Sequence, residues 1–343
     1  LDVWPEPVSS AAPAVGSTLV ARPWHTDGPQ HHDPEDYDLV WARDGQELPP
    51  ATPTDKYVVT KADRGHALRA KLVGKGSSLP GKYALKLCPD VLGRVKLPPY
   101  IIAVTGSNGK TSTVEMIAHV LRQNGWKVAY NREGSNQIEG VTTFLLSDCT
   151  LGGTCRSDVI LLESDERYAR HTFRWFHPTH FVITNLYRDQ LTRNGHPEWI
   201  FDILQDSIHP GTRLILNADD PLVSCFALGR DNPVTWFGVE RLPFSETQPS
   251  GRYRDGAYCP HCKHPMEYEY YHYNHIGAYR CPGCGHHRHT PEDAVTQASL
   301  EEKHLILNGK YRVDMAVSGI YHMYNTLAAF SACRALGLAE EPI

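Results

Sequence analysis

The chain has 343 residues, which at roughly 150 residues per domain predicts two or three domains. Its apolar content of 41% and charged content of 21% are globular values, which exclude a collagenous or wholly disordered chain. The formal net charge of −5 argues against a nucleic-acid partner. No apolar run is long enough to span a bilayer, and no signal peptide is visible. Because the chain begins with Leu1, we expect a fragment or a processed product.

The first 73 residues are predicted to form a small all-β module, followed by a second region from 74 to 343. Short strand-like runs alternate there with turn signals such as Asp44-Gly45. These runs cover residues 17–22, 38–43, 56–60 and 66–73. The segments 37–45, 57–60 and 62–65 resemble bacterial immunoglobulin-like repeats, which usually lie on cell-surface proteins. The alternative is a loop-rich extension with a few strands.

From Tyr100 onwards the pattern predicts an α/β fold with a mostly parallel sheet that is covered on both faces. Residues 100–104 read as a short apolar strand, and residues 106–110 as a glycine-containing loop. A helix is predicted over 111–123, where apolar residues recur at the spacing of one helix face. Further strands are predicted over 127–130, 159–162, 180–184 and 213–216, with a helix over 197–207. Such alternation is typical of doubly wound α/β domains.

The loop between the first strand and helix of this region has the features of a phosphate-binding loop. Its residues are Gly106, Ser107, Asn108, Gly109, Lys110, Thr111 and Ser112. Glycines let backbone N–H groups wrap the phosphates, and the following helix N-terminus adds positive potential. The lysine can reach the β- and γ-phosphates, and the threonine hydroxyl can bind Mg²⁺. The spacing is one residue shorter than usual, so the alternative is a chance glycine turn.

Carboxylates follow the predicted strand over 159–162. Glu163 stands at the strand end beside the phosphate loop, where a carboxylate has an obvious partner in a bound Mg²⁺. We therefore predict Lys110 and Glu163 as catalytic residues, with Thr111 and Glu163 as magnesium ligands. For Asp165 and Glu166 a functional role and a solvated loop remain equally open.

Four of the nine cysteines predict a zinc site. Cys259 and Cys262 form one C-x-x-C pair, Cys281 and Cys284 form another, and residues 263–280 separate them. This spacing is typical of zinc held by four thiolates, and a closed site of that kind is structural because no position is left for water. The intervening residues predict a hairpin within a zinc ribbon at about 255–290.

The remaining cysteines form no framework, which indicates a reducing compartment with one metal site. They are Cys88, Cys149, Cys155, Cys225 and Cys333. Five histidines near the ribbon are interpreted as solvated surface residues, although His261 could compete as a ligand. They are His261, His264, His286, His287 and His289.

The shortened phosphate loop resembles that of the Mur ligase superfamily, whose members form amide bonds with ATP. The segments 161–166, 184–190, 217–221 and 324–329 extend the resemblance in the same chain order, over about residues 66–343. The resemblance implies that Asn217 and Asp219 contribute to nucleotide binding and that Asn325 contacts the adenine. Where the superfamily usually has a second asparagine, three residues earlier, this chain has His322.

The four-cysteine ribbon and the segments 131–136 and 271–277 look like those of superfamily members that amidate lipid II. This implies ATP-dependent amidation of the D-glutamate α-carboxylate of the lipid II stem peptide through an acyl phosphate, in peptidoglycan synthesis. It also implies ATP, Mg²⁺ and Zn²⁺ as ligands. A GatD-type glutaminase would be the partner in a heterodimer and would supply ammonia. The expected location is cytoplasmic, at the inner face of the plasma membrane.

Two other functions remain open. One is an amino-acid ligase of the Mur or folylpolyglutamate type, and the other is a non-catalytic zinc-ribbon scaffold. The chain stops at Ile343, whereas the superfamily continues into a C-terminal domain. We therefore expect that this domain is absent, and that the chain alone binds nucleotide without amidating lipid II.

Overall fold

The computed structural model describes nine stretches of the chain. They are residues 2–6, 14–22, 37–44, 46–48, 56–74, 78–131, 137–187, 197–250 and 255–338. The segments 132–136 and 188–190, which contribute to the family resemblance, lie outside these stretches.

Within the described part of the first 74 residues, six short strands form two antiparallel sheets. They are β1 (Asp2–Glu6), β2 (Thr18–Arg22), β3 (Tyr37–Arg43), β4 (Gln46–Glu47), β5 (Lys56–Val58) and β6 (Leu68–Gly74). One sheet has the order β1-β2-β5 and the other β4-β3-β6. The buried side chains of Leu19, Trp41 and Val59 form a small core of their own. The four strand predictions are confirmed, while the immunoglobulin-like resemblance stays a prediction.

The rest of the described chain alternates strands and helices. The elements are α1 (Leu79–Leu87), α2 (Val91–Arg94), β7 (Tyr100–Thr105), α3 (Lys110–Gln123), β8 (Val128–Tyr130), α4 (Ile138–Asp148), β9 (Val159–Glu163), α5 (Ala169–Thr172), β10 (His180–Ile183), α6 (Pro197–Ser207), β11 (Arg213–Asn217), β12 (Val234–Val239), β13 (Glu267–Tyr273), β14 (Ile276–Arg280), β15 (Asp293–Ser299), β16 (His304–Leu307), β17 (Tyr311–Asp314) and α7 (Ile320–Ala335). Short 3-10 helices cover Lys61–Asp63 and Val223–Ala227.

One nine-stranded sheet organises this region, in the order β17-β16-β15-β12-β11-β10-β7-β9-β8. Every pairing from β8 across to β15 is parallel, and only β16 and β17 add antiparallel pairs at the edge. The predicted mostly parallel sheet is therefore confirmed. Parallel strands alternating with helices need cover on both faces, because both faces of such a sheet are apolar.

The side chains of β7 show how both faces are covered. Ile102 and Val104 are fully buried on the face that packs against α3 and α7. Ile101 and Ala103 point to the opposite face, against α4 and α6. Two apolar layers thus enclose the sheet, and the amphipathic spacing of α3 follows from its position on one of them.

The carboxyl ends of the central strands meet at one edge of the sheet, because these strands are parallel. β7 runs directly into the predicted phosphate loop, and β9 ends at Glu163. β10 ends before Thr184, and β11 ends at Asn217. In open α/β sheets ligands bind at this edge, so the fold gathers most of the predicted site residues there.

The predicted zinc ribbon is inserted between two neighbouring strands of the sheet. The chain leaves β12 at Val239 and returns in β15 at Asp293. Within the insertion, β13 and β14 pair as an antiparallel hairpin, as predicted. Asn274 turns the hairpin with a φ of 45°, a conformation that asparagine tolerates better than most residues. Among the described residues, no helix has the length and apolar character that crossing a membrane requires.

We expect the protein to lose stability as the pH falls from about 6.5 to about 4, in part through His180. Burial lowers the pKa of this side chain from 6.5 to about 4. The unfolded chain therefore takes up the proton first, so this contribution to the unfolding free energy is complete above pH 6.5 and is lost as the pH approaches 4. Urea unfolding across this range checks it. A His180→Gln variant should lose less stability on acidification, and an unchanged loss would contradict the assignment.

Candidate active site

The predicted phosphate loop joins β7 to α3 at the carboxyl edge of the sheet. The helix begins at Lys110, so the unpaired N–H groups of its first turn face the loop. Gly106 and Gly109 have φ values of 139° and 86°, which favour glycine. A Cβ on Gly106 would overlap the Thr184 hydroxyl, and one on Gly109 would overlap the side-chain oxygen of Asn325. Both glycines are thus required by backbone conformation and by close packing.

The segment after β10 holds this loop in place. The N–H groups of Ser107 and Asn108 donate to the backbone and side-chain oxygens of Asn185, at 2.9 and 3.0 Å. The Thr184 hydroxyl and the Asn185 amide both donate to the Asn108 carbonyl, at 3.0 and 3.1 Å. The Tyr187 N–H donates to the Ser107 hydroxyl at 3.0 Å, and the Tyr187 hydroxyl accepts from the Asn108 amide. Three residues of segment 184–190 therefore shape the loop, a role that the sequence alone did not assign.

Lys110 lies over the loop, next to a buried carboxylate. Its Nζ donates to the Gly106 carbonyl at 2.7 Å and to the Glu166 carboxylate at 3.2 Å. Glu166 is only 3% exposed, so it does not belong to a solvated loop. Asp165 instead accepts hydrogen bonds from Arg167. Despite the opposing effect of burial, this pairing lowers the pKa of Asp165. Of the two residues left open, Glu166 is the one that meets the predicted catalytic lysine.

The two predicted magnesium ligands lie side by side. The Thr111 hydroxyl donates to a carboxylate oxygen of Glu163 at 2.8 Å. Thr111 is exposed and Glu163 is half-buried, so the pair lies at the surface beside the loop. A hydroxyl and a carboxylate next to a phosphate loop suit Mg²⁺, which prefers oxygen ligands and shares them with substrate phosphates. Ser112 is half-buried in the first turn of α3.

Helix α7 brings Asn325 against the loop. Its side-chain oxygen lies beside Gly109, and the residue is only 6% exposed. One turn earlier, the backbone carbonyl of His322 accepts a hydrogen bond from the Thr326 hydroxyl at 2.9 Å. The structure therefore joins Asn325 to the loop, whereas the described hydrogen bond of His322 is made by its backbone.

Asn217 and Asp219 are buried beneath the segment after β10, which holds the phosphate loop in place. Asn217 donates its side-chain amide to the Thr184 carbonyl at 2.9 Å and accepts from the Asp219 N–H at 3.0 Å. The carboxylate of Asp219 accepts three hydrogen bonds, from the Val239 N–H, the Arg288 guanidinium and the Tyr324 hydroxyl, at 2.7, 2.6 and 2.7 Å. Both residues are fully buried, so the structure gives them a supporting position rather than an exposed one.

The four predicted zinc ligands converge on one point. The sulfurs of Cys259, Cys262, Cys281 and Cys284 all lie within 4.8 Å of one another. Four sulfurs about 2.3 Å from a zinc ion would lie roughly 3.8 Å apart, and two of the observed separations are 3.6 and 3.4 Å. Burial raises the pKa of the Cys259 thiol to about 12, whereas in Cys281 hydrogen bonds from the backbone N–H of Cys284 and from Cys262 outweigh burial and lower the pKa to about 6. The fit to zinc therefore rests on the arrangement of the four sulfurs, which zinc binds as thiolates.

Each C-x-x-C pair forms the same backbone turn. Cys259 accepts from the Lys263 N–H, and Cys281 accepts from the Gly285 N–H, at 2.8 and 3.0 Å. The residues after the pairs, Lys263 and Gly285, have φ values of 62° and 78°. These matched turns form two knuckles that present four sulfurs to a common centre.

Two of the five nearby histidines are not solvated, contrary to the sequence interpretation. His286 is 8% exposed, and its Nε2 lies 3.0 Å from the Pro221 carbonyl. His289 is half-buried and stacks on Trp236 with ring centroids 4.0 Å apart. Both side chains are at least partly buried for the same reason, because the part of the ribbon around the second C-x-x-C pair packs against the core. The other three histidines are exposed, and His261 is not among the clustered metal ligands.

The ribbon is tied to the same residues that support the phosphate loop. Arg288 pairs with Asp219, and His275 lies 3.6 Å from Asp220. Asp220 in turn accepts from the Leu186 N–H at 2.8 Å, within the segment that holds the loop. Tyr187 of that segment makes edge contacts with Tyr273 and His275 of the hairpin. A continuous set of contacts thus runs from the ribbon to the loop.

Comparisons with known proteins agree with this geometry. Residues 104–243 match the Mur ligase middle domain. A pseudomurein peptide ligase type C from Methanothermus fervidus has a TM-score of 0.57 and 27% identity, covering 77% of this chain and 54% of that one. MurF ligase from Thermotoga maritima in complex with ADP, at a TM-score of 0.50 and 16% identity, shares the fold over 76% of this chain and 50% of that one.

Two MurT proteins are similar over most of the chain, each a subunit of lipid II isoglutaminyl synthase (glutamine-hydrolyzing). MurT of Staphylococcus aureus (strain N315) is 31% identical over 80% of this chain and 62% of its own length. That of Streptococcus pneumoniae (strain ATCC BAA-255 / R6) is 32% identical over 79% and 60%. The chain therefore spans about three fifths of these relatives. The chain is thus similar to MurT subunits over most of its length, and residues 104–243 match the Mur ligase middle domain.

Proposed function

We propose that this chain supplies the ATP-using part of an enzyme that amidates the D-glutamate α-carboxylate of the lipid II stem peptide in peptidoglycan synthesis. One observation carries the proposal. Lys110 lies over the phosphate loop beside the Thr111–Glu163 pair, in a chain that is similar to MurT subunits. We keep Lys110 and Glu163 as the catalytic residues and residues 106–112 with Asn325 as the nucleotide site.

The chemistry follows from what these groups can stabilise. A carboxylate is a poor electrophile, so ATP must first convert it to an acyl phosphate that ammonia can attack. Lys110 and the loop N–H groups neutralise charge on the transferred phosphoryl group. Thr111 and Glu163 would hold Mg²⁺, which would neutralise negative charge on the phosphates. Asn217 and Asp219 would act on the nucleotide indirectly, through the segment that supports the loop.

The partner and the domain limits belong to the same proposal. We infer a separate GatD-type glutaminase that supplies ammonia, and a site of action at the inner face of the plasma membrane, where lipid II is the substrate. The proposed limits are an all-β module over 1–73 and an ATP-binding domain over 74–343, with the ribbon at about 255–290. The MurT relatives support the partner because they are subunits of a glutamine-hydrolysing synthase.

Trapping of the acyl phosphate tests the proposed reaction without the partner. A protein that joins this chain to the C-terminal domain of a MurT relative is incubated with Mg·ATP, lipid II and hydroxylamine, and mass spectrometry looks for a hydroxamate on the D-glutamate. With ammonium salt instead, the product should be the amide and ADP should be released. Lys110→Ala in the joined protein is the matched control, and the chain alone should bind ATP but give neither product. ATP binding with neither product in the joined protein would contradict the proposed reaction, and failure to bind ATP would favour a scaffold.

Amino-acid ligation is a second candidate, because a pseudomurein peptide ligase shares the fold at 27% identity. The same assay separates the two functions when ammonium is replaced by free amino acids. ADP release that depends on an amino acid, and not on ammonium, would favour ligation.

We expect one Zn²⁺ per chain, bound by the four cysteines. Replacing two thiolates of a four-thiolate site leaves too few ligands to close the tetrahedron, so Cys281→Ser combined with Cys284→Ser should lose the metal. Elemental analysis of the purified proteins measures this. Cys225→Ser is the control, because this buried thiol lies near His286 but outside the cluster. A parent protein without zinc, or a double variant that retains it, would contradict the site.

A further inference from the structure

Two cysteines outside the ribbon meet near the amino end of β9. Cys149 directly follows α4, Cys155 precedes β9, and their Sγ atoms lie 3.5 Å apart. Both are free thiols on half-buried side chains. The sequence interpretation treated them as scattered residues, and this is wrong because the turn between them folds back on itself.

The backbone around the pair already has the geometry of a cross-strand disulfide site. Cys149 and Cys155 form an isolated antiparallel bridge. The flanking hydrogen bonds run from the Thr150 N–H to the Thr154 carbonyl and from the Arg156 N–H to the Asp148 carbonyl, at 2.9 and 3.1 Å. The cysteines are therefore a non-hydrogen-bonded pair, for which Cα atoms lie about 4.5 Å apart. That separation falls within the range that a disulfide spans.

A small molecule can approach the pair from the side of Cys155. Cys155 lines an open cavity of about 450 Å³, together with Lys96, Trp126 and Asp158. The turn between the cysteines is also open, since Leu151 at its tip is fully exposed. The turn is fixed to the segment before β7, because the Lys96 N–H donates to the Gly153 carbonyl and its carbonyl accepts from the Cys155 N–H. The two sulfurs are thus held together at an accessible place.

We propose that Cys149 and Cys155 are a redox-active dithiol that forms an intramolecular disulfide by exchange with a small organic disulfide such as oxidised glutathione. In the first step one cysteine thiolate bonds to a sulfur of the small disulfide, whose S–S bond breaks, and the released thiolate takes up a proton. In the second step the other cysteine attacks the protein-bound sulfur and the second small thiol leaves. Two protons and two electrons pass from the pair to the small disulfide, which becomes two thiols.

The order of attack follows from the surroundings of the two thiols. Burial raises the pKa of Cys155 to about 12, and the adjacent Cys149 contributes in the same direction. Because the thiolate is the attacking form, Cys155 is a poor first nucleophile and is better suited to resolve the mixed disulfide. Neither residue takes part in the proposed amidation, so the disulfide can be tested independently of that function.

The experiment uses the zinc-loaded chain, in which the metal engages the ribbon thiolates. The protein is equilibrated with mixtures of reduced and oxidised glutathione, and the remaining thiols are alkylated. Before alkylation, a species about 2 Da lighter than the reduced protein should appear, and after alkylation it should carry two fewer alkyl groups. Chymotrypsin, which can cut after the exposed Leu151, should then give two fragments that separate only after reduction.

Single variants identify the pair. Cys155→Ser should accumulate a glutathione adduct on Cys149, whereas Cys149→Ser should leave Cys155 mostly free. Cys88→Ser removes a half-buried thiol elsewhere and should oxidise as the parent does. The proposal fails if both cysteines remain alkylated in oxidised glutathione, or if each gains glutathione without a cross-link between them.

Discussion

Replacing Asp219 with alanine is expected to lower the unfolding free energy by about 3–5 kcal/mol, the cost of breaking a buried ion pair. Asp219 is fully buried, and the side chain of its partner Arg288 is 14% exposed. Burial lowers the pKa of Arg288, but the carboxylate of Asp219 outweighs this and raises it. Without the carboxylate, the guanidinium stays buried with its main partner lost, and the Tyr324 hydroxyl and the Val239 N–H lose their acceptor. Urea unfolding measures the loss.

An exposed ion pair provides the matched control. Asp206 lies 3.5 Å from Arg170 with both side chains more than half exposed, so Asp206→Ala should cost less than about 1 kcal/mol. The double variant Asp219→Ala, Arg288→Met should cost less than the sum of its single changes, because it leaves no unpaired charge. If Asp219 were instead a direct nucleotide ligand, Asp219→Ala would be as stable as the control and would lose ATP affinity.

The second large effect concerns ATP. Lys110→Ala is expected to weaken ATP binding by about 1–3 kcal/mol, the value of a hydrogen bond that involves charge. In the structure its ammonium group contacts Gly106 and Glu166, so it is already positioned over the loop. Isothermal titration calorimetry checks this. Lys96→Ala is the control, because Lys96 is an exposed lysine fixed to the turn before β9, away from the loop.

Magnesium separates the roles of Lys110 and Glu163. A lysine that binds phosphate directly should matter with or without the metal, so Lys110→Ala should weaken ATP binding in both conditions. A carboxylate that acts through Mg²⁺ should matter only when the metal is present. Glu163→Ala should therefore weaken Mg·ATP but match the parent in a chelator. Equal losses in both conditions would contradict the metal role, and unchanged affinity in both variants would mean that the site lies elsewhere.

Local patterns predicted the features that depend on neighbouring residues. The helix over 197–207 and the strand–loop–helix order around Lys110 follow from apolar spacing and loop composition, which are properties of adjacent positions. The two C-x-x-C pairs belong to the same class, because each pair forms one knuckle. The strand ends could be placed together for a further reason: parallel strands share a carboxyl edge.

The partners of a buried side chain could not be predicted in this way. Asp219 bonds to Arg288 and Tyr324, which lie 69 and 105 positions away, so its supporting role follows only from the packed fold. Glu166 reaches Lys110 across 56 positions. A histidine next to a C-x-x-C pair is typical of a surface position. The side chain of His286 is nevertheless buried, because the ribbon packs against Pro221. Long-range packing decided each of these cases, and no local pattern encodes it.

The position of the ribbon in the sheet limits how it could be removed or exchanged. β12 and β15 are parallel neighbours, so residues 240–292 form the crossover that carries the chain back to the start of the next strand. A parallel connection needs a dozen or more residues, usually a helix, so a tight turn could not replace the ribbon. A short helix of about that length would preserve the order of the strands. Because Arg288 of this crossover pairs with the buried Asp219, any replacement unit would also have to supply a partner for that carboxylate if the nucleotide fold is to stay intact.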